Sequence, residues 1–160
     1  PFARAPYVAQ RIVYQVSHAT ETGMLLDELC GELQSLHAAD VSDCETSLLI
    51  IPYALADFLD FNDFLDQADA AIDVLGLQGE IQVASFHPDY QFAGTGIDDV
   101  ENFSNRSPFP ILHLLREASI ERAVDTLTDS EDIYRRNMAT LRKLGARGWA
   151  DMWRDPDEGA

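Results

Sequence analysis

Three short apolar runs are separated by two long blocks of helical periodicity, and this alternation constrains the fold more than any other feature of the chain. The runs are residues 11–17 (RIVYQVS), 47–53 (SLLIIPY) and 80–86 (EIQVASF). The first alternates and is rich in β-branched residues, as a strand should be. The second is continuously apolar, which fits a strand buried on both faces, as in parallel sheets. Between them, residues 21–38 repeat Met24, Leu25, Leu29, Leu33 and Leu36 at helical spacing, with Thr20 placed as an N-cap. Residues 55–75 form a second amphipathic block that ends near Gly76. This βαβαβ order predicts an α/β fold: a small, mostly parallel sheet of three or four strands, right-handed crossovers and helices packed on the sheet. The most apolar strand, the second, is expected at the centre. Two further C-terminal helices are expected at 108–127 and 132–143, the last stopped by Gly145 and Gly148. Residues 1–150 read as a single domain and 151–160 as a frayed acidic tail.

With 160 residues, 46% of them apolar, one domain can bury a core without disulfide or metal staples. Cys30 and Cys44 accordingly read as reduced thiols. No apolar run approaches the about 20 residues that span a bilayer. The start PFARAPYVAQ lacks the apolar centre of a secretory signal. The chain opens on Pro1 and not on Met, and is read as a piece of a longer one.

The net charge of -17 argues against a nucleic-acid or anionic-membrane surface, since both need a basic footprint. No Lys or Arg lies between Arg11 and Arg106. A guanidinium at the end of so long an acidic stretch is either an ion-pair partner or a clamp for a small anionic ligand.

Ligands of open α/β sheets sit outside the carboxyl ends of the strands, here His18, Tyr53 and His87. Of these, only His87 opens a long loop, residues 88–105. In SFHPDY (85–90) the following proline pushes His87 toward extended backbone. From there it can act as general acid or base or as a metal ligand, with Tyr90 beside it, or it can be a half-buried histidine bonded to backbone. In NFSNRSPFPILHLLR (102–116), Ser107 is placed as the N-cap and Pro108 as the first residue of the third helix. Pro108 and Pro110 delete two N–H donors there. An anion would therefore depend on Arg106, Ser107, Asn102 and Asn105. On that helix His113 would neighbour both Arg116 and Glu117. A His/Glu pair at that spacing can hold a metal, and it can equally be a surface ion pair. Asp57, Asp60, Asp63, Asp66 and Asp69 advance by three residues, sweep around the second helix and read as a solvated acidic face. There is no GxGxxG, P-loop, GxSxG, CxxC, zinc-finger spacing or calcium loop, so the cofactor is left unknown.

Taken together, SFHPDYQFAGT, DDVENFSNRSPFPILHLLREAS and DFLDFNDFLD resemble a bacterial family catalogued as domain of unknown function 1415, across residues 1–149. The resemblance implies a bacterial, cytoplasmic protein and brings no established activity, cofactor or catalytic assignment. It also implies a cysteine directly before the opening PFA, a thiol that could serve as nucleophile or ligand.

Two functions fit the residues. The leading expectation is a small-molecule enzyme acting on a phosphate- or carboxylate-bearing substrate. His87, Tyr90 and Asn105 would be its catalytic groups, and Arg106, Ser107, Asn102 and Arg116 would bind the substrate. In a variant of this scheme, His87, His113 and Glu117 hold a metal. The alternative is a non-catalytic ligand-binding or protein-interaction domain. There, the same residues lock the long loop and the acidic helix faces a basic partner. Burial separates the two: an open pocket shared by His87, Arg106 and His113 favours the enzyme, and enclosed, paired side chains favour the lock.

Overall fold

The computed structural model describes residues 4–125 and 130–152, with side chains given for 4–124 and 135–152. In chain order the elements are α1 (Arg4–Val8), β1 (Ile12–Val16), α2 (Thr22–Ala38), β2 (Thr46–Ile50), α3 (Phe58–Leu75), β3 (Ile81–Phe86), a 3₁₀ turn (Val100–Asn105), β4 (Ile111–Arg116), α4 (Glu117–Asp125) and α5 (Ser130–Asp151). The strands form one sheet in the order β1-β2-β4-β3.

The α/β class holds, and β2 is an interior strand as expected. The mostly parallel sheet does not hold. β1 pairs with β2 in parallel, while β4 is antiparallel to both β2 and β3. β1, β2 and β3 do run in one direction. What differs is a fourth strand, entering the slot between β2 and β3 from the opposite end.

That strand replaces the first half of the helix expected at 108–127. Pro108 and Pro110 hold Ser107 and Phe109 out of helical geometry, since the residue before a proline is pushed to extended backbone. The chain thus enters Ile111 already extended. Leu112 and Leu114 then point into the core with no exposure, while Ile111, His113 and Leu115 face the other way. The run contains good helix formers, but the slot offers backbone partners on both edges, and this tertiary pairing overrides local propensity. The helix survives only from Glu117, and Ser107 and Pro108 are neither its cap nor its first residue.

Local rules hold better elsewhere. Asp57 caps α3 by accepting from Leu59 N at 2.8 Å and Asp60 N at 3.2 Å. Gly76 closes it with φ 69°, a conformation glycine adopts without a Cβ penalty. α2 begins at Thr22 with Glu21, not Thr20, in the N-cap position. Gly145, expected to stop the last helix, instead bends α5 with φ 62°. Of the acidic tail expected at 151–160, Asp151 is the last residue of α5, and residues 153–160 lie outside the described residues.

α2 and α3 pack on one face of the sheet. Leu25, Leu29, Leu33 and Leu36 of α2 meet Phe61, Phe64, Ala68 and Ile72 of α3 over Leu49, Leu112 and Leu114. Truncating one fully buried leucine such as Leu29 to alanine costs about 2–5 kcal/mol in such a core. The opposite face carries Leu48, Ile50, Ala84, Phe86, Ile111, His113 and Leu115, all half-buried. A second, smaller core joins Phe103 of the 3₁₀ turn to Met138 and Leu141 of α5, with Phe103 and Trp149 stacked at 5.9 Å. No helix among the described residues is long and apolar enough to cross a membrane.

Candidate functional site

The carboxyl ends of β1, β2 and β3 and the start of β4 share one edge of the sheet. His87 follows β3 there and is fully buried. Its imidazole lies between the rings of Phe58 and Phe61, at 5.3 and 5.1 Å. Nδ1 accepts from the backbone N–H of Asp89 at 3.0 Å. The ring proton must then sit on Nε2, which donates to the carbonyl of Leu55 at 3.1 Å. Leu55 itself has φ 56°, rare for a residue with a Cβ. His87 therefore clips a strained residue before α3 to the turn after β3. Both ring nitrogens are committed to backbone partners, and neither is open to a substrate or a metal.

The rest of the loop is fastened in the same way. Asn105 accepts from His87 N through its backbone carbonyl at 3.1 Å and donates its side-chain amide to the carbonyl of Ser85 at 3.1 Å. Asn102 is fully buried and satisfied at both ends. Its Oδ1 accepts from Phe92 N and Thr95 Oγ1 at 2.9 and 2.8 Å, and its Nδ2 donates to Gly96 O at 2.7 Å. Among the described residues Arg106 pairs with no acid. It donates to the carbonyls of Tyr90 and Ile97 and lies over the Phe103 ring at 4.8 Å. Tyr90 packs against Phe58 and Phe92 at 5.4 and 4.9 Å.

The expected constellation thus comes together only in part. His87, Tyr90, Asn102, Asn105 and Arg106 converge on the long loop. Ser107 turns back on its own segment, donating to the carbonyl of Phe109. Arg116 ends β4 at the opposite end of the sheet, paired in register with Ile81. Its guanidinium donates to the carbonyls of Leu36, Ala39 and Cys44, where it neutralises the negative end of α2. It cannot join a substrate site at His87.

The metal variant is also corrected. His87 lies on the helix-covered face, and His113 points from β4 to the other. Glu117 lies beyond the end of that strand. The helical spacing that would have grouped His113 with Glu117 does not exist, because a strand sends residues to alternate faces. Among the described residues no group of three His, Cys, Asp or Glu side chains could hold a metal ion.

His113 has its own environment. Nε2 lies 2.8 Å from Thr46 Oγ1, whose hydroxyl proton goes to the carbonyl of Leu114 at 2.6 Å. His113 is therefore the donor in that pair. Burial pushes its pKa down to about 4. Burial likewise pushes the Cys44 thiol up, against the pull of Arg116, so this cysteine is a poor nucleophile.

One pair escaped sequence reasoning. His18 and Tyr53 stack at 6.1 Å, both exposed, beyond the ends of β1 and β2. Each had been placed at a strand end, and parallel pairing of neighbouring strands is what sets them side by side.

The sequence model described as protein of unknown function (DUF1415) matches residues 1–151. The chain belongs to that family. Comparison of this DUF1415 protein with curated proteins and with solved structures returned no match.

Proposed function

We propose that this DUF1415 protein is a non-catalytic interaction domain in which the HPDY and NRS segments lock the long loop onto the sheet. The observation that carries this reading is the state of His87: no exposure, and both ring nitrogens committed to backbone partners. A general base needs a free lone pair within reach of substrate. Asn102 and Arg106 point the same way, since their polar atoms serve loop carbonyls and amides that would otherwise be orphaned.

The surface offered to a basic partner is the outer side of α3, where Asp60, Asp63, Asp66, Asp69 and Asp73 are all exposed. Charges of one sign on a ridge steer association and make it salt-dependent.

The test uses His87→Ala and Arg106→Ala in the full chain. Both are expected to lower the unfolding midpoint in chemical denaturation, with His87→Ala the more damaging. A thermal-shift screen of small phosphates and carboxylates is expected to leave the wild type unshifted. The reading fails if His87→Ala keeps wild-type stability while abolishing turnover of an ester or phosphate substrate.

A further inference from the structure

β1 is an edge strand, and nothing in its sequence protects the edge. Native edges are blunted with lysine, proline, bulges or a covering element. β1 reads IVYQV, five residues without a charge or a proline. Its side chains stand out on both faces, with Val13 41%, Tyr14 56% and Val16 44% exposed. Tyr7 and Val8 of α1, at 67% and 73%, extend the same patch. A hollow of about 440 Å³ lined by Tyr7, Val8, Gln10, Ile12 and Tyr14 lies beside the strand.

The free backbone groups can be assigned. Arg11 O accepts from Glu45 N, and Ser17 N donates to Ile50 O, so residues 11 and 17 turn their polar groups toward β2. Strand alternation then turns Ile12, Tyr14 and Val16 outward. Three N–H and three C=O groups thus line an edge that no other described residue covers.

Charge restricts what can meet that edge. The chain carries -17, yet residues 1–20 hold two arginines and no acid. Two copies repel each other over most of their surfaces and not here. We propose that a second copy of the chain occupies this edge, with β1 paired antiparallel to β1 about a two-fold axis at Tyr14, giving one eight-stranded sheet. The strip is self-complementary in that register. Tyr14 exchanges both hydrogen bonds with Tyr14 of the partner subunit, and Ile12 and Val16 exchange theirs crosswise, satisfying all six outward groups of each copy.

Sedimentation equilibrium and disulfide trapping on the 160-residue chain test this. The wild type should run at the mass of two chains and associate more tightly as salt screens the acidic surfaces. Tyr14→Lys with Val16→Lys should raise the dissociation constant at least about a hundredfold, because like charges then face each other across the axis. Their circular dichroism and unfolding midpoint at low concentration should match the wild-type chain. In a Cys30→Ser background, Tyr14→Cys should oxidise to a covalent dimer, since hydrogen-bonded antiparallel partners stand about 5.5 Å apart at Cα, within disulfide reach. Gln15→Cys should not, because two copies of residue 15 would stand about 8 Å apart and out of register. A wild type at single-chain mass at every concentration overturns the proposal, whatever becomes of the α3 surface. So does a folded double-lysine variant that stays dimeric, or a Gln15→Cys chain that cross-links as readily as Tyr14→Cys.

Discussion

The long loop after β3 and the edge strand β1 treat their polar groups in opposite ways. The loop holds the side chains that look most like chemistry, a histidine, two asparagines and an arginine, and it consumes them. His87 and Asn102 have no exposure and serve backbone atoms on both sides. β1 holds only plain residues, yet among the described residues nothing answers its outward backbone donors and acceptors or its apolar side chains. The contrast teaches that side-chain type alone is a poor guide to where a surface has work left to do. The unanswered group, not the reactive-looking one, marks an opening.

The largest effect expected is on the loop. Asn102→Leu takes from Phe92 N, Thr95 Oγ1 and Gly96 O the fully buried amide that ties the loop together and should cost about 2–4 kcal/mol, since each part-buried bond lost there costs about 1 kcal/mol. Urea denaturation reads the loss, and limited proteolysis should cut first between residues 92 and 98. His87→Phe keeps a ring between Phe58 and Phe61 while releasing Leu55 O and Asp89 N, and is expected to cost about 2–4 kcal/mol. If either variant kept wild-type stability, the loop would not be the fastened region described above.

The next effect is set by pH. Burial lowers the His113 pKa from its usual 6.5 to about 4. Between those values the unfolded chain binds a proton that the fold refuses, so stability rises with pH through this window and falls as the pH drops. The contribution is on the order of 2 kcal/mol once residual solvent screening is allowed for. The fall in stability from pH 6.5 to pH 4 should therefore be smaller in His113→Leu by about that amount. Parallel slopes for the two proteins would refute it. A smaller effect belongs to Asp57→Ala, which removes the α3 cap and should cost about 1 kcal/mol by thermal melt. Smallest of all, Tyr14→Lys should change the stability of the isolated chain by less than about 0.5 kcal/mol, as exposed substitutions do. A large loss there would mean that β1 is not an unanswered edge.

Which parts of this could be read from the residues follows from how local their causes are. β1, β2, β3, α2 and α3 follow from periodicity within one element, and Gly76 closes α3 by chemistry confined to a few residues, whereas Asp57, read as part of a helix from residue 55, is in fact its N-cap. β4 does not, because ILHLLR suits a helix by propensity and becomes a strand only when β2 and β3 stand on either side. The same limit applies to the candidate site. The sequence places His87 at a strand end, but the carbonyl that claims its Nε2 belongs to Leu55, 32 residues earlier. Arg116 looked like a substrate clamp because its true partners, the carbonyls of Leu36 and Ala39 at the end of α2 and of Cys44 before β2, are 72 to 80 residues away.

The inserted position of β4 also fixes an order of events. Every strand that shares the helix-covered core is made before β4, yet β2 and β3 cannot be joined until residues 111–116 arrive between them. The Thr46–His113 contact alone spans 67 positions. Pairings so far apart in the chain are slow to form, because a long loop must close before any contact rewards it. β3 joins the sheet only through β4, so the loop fastened by His87 and Asn102 connects the two strands whose pairing completes it.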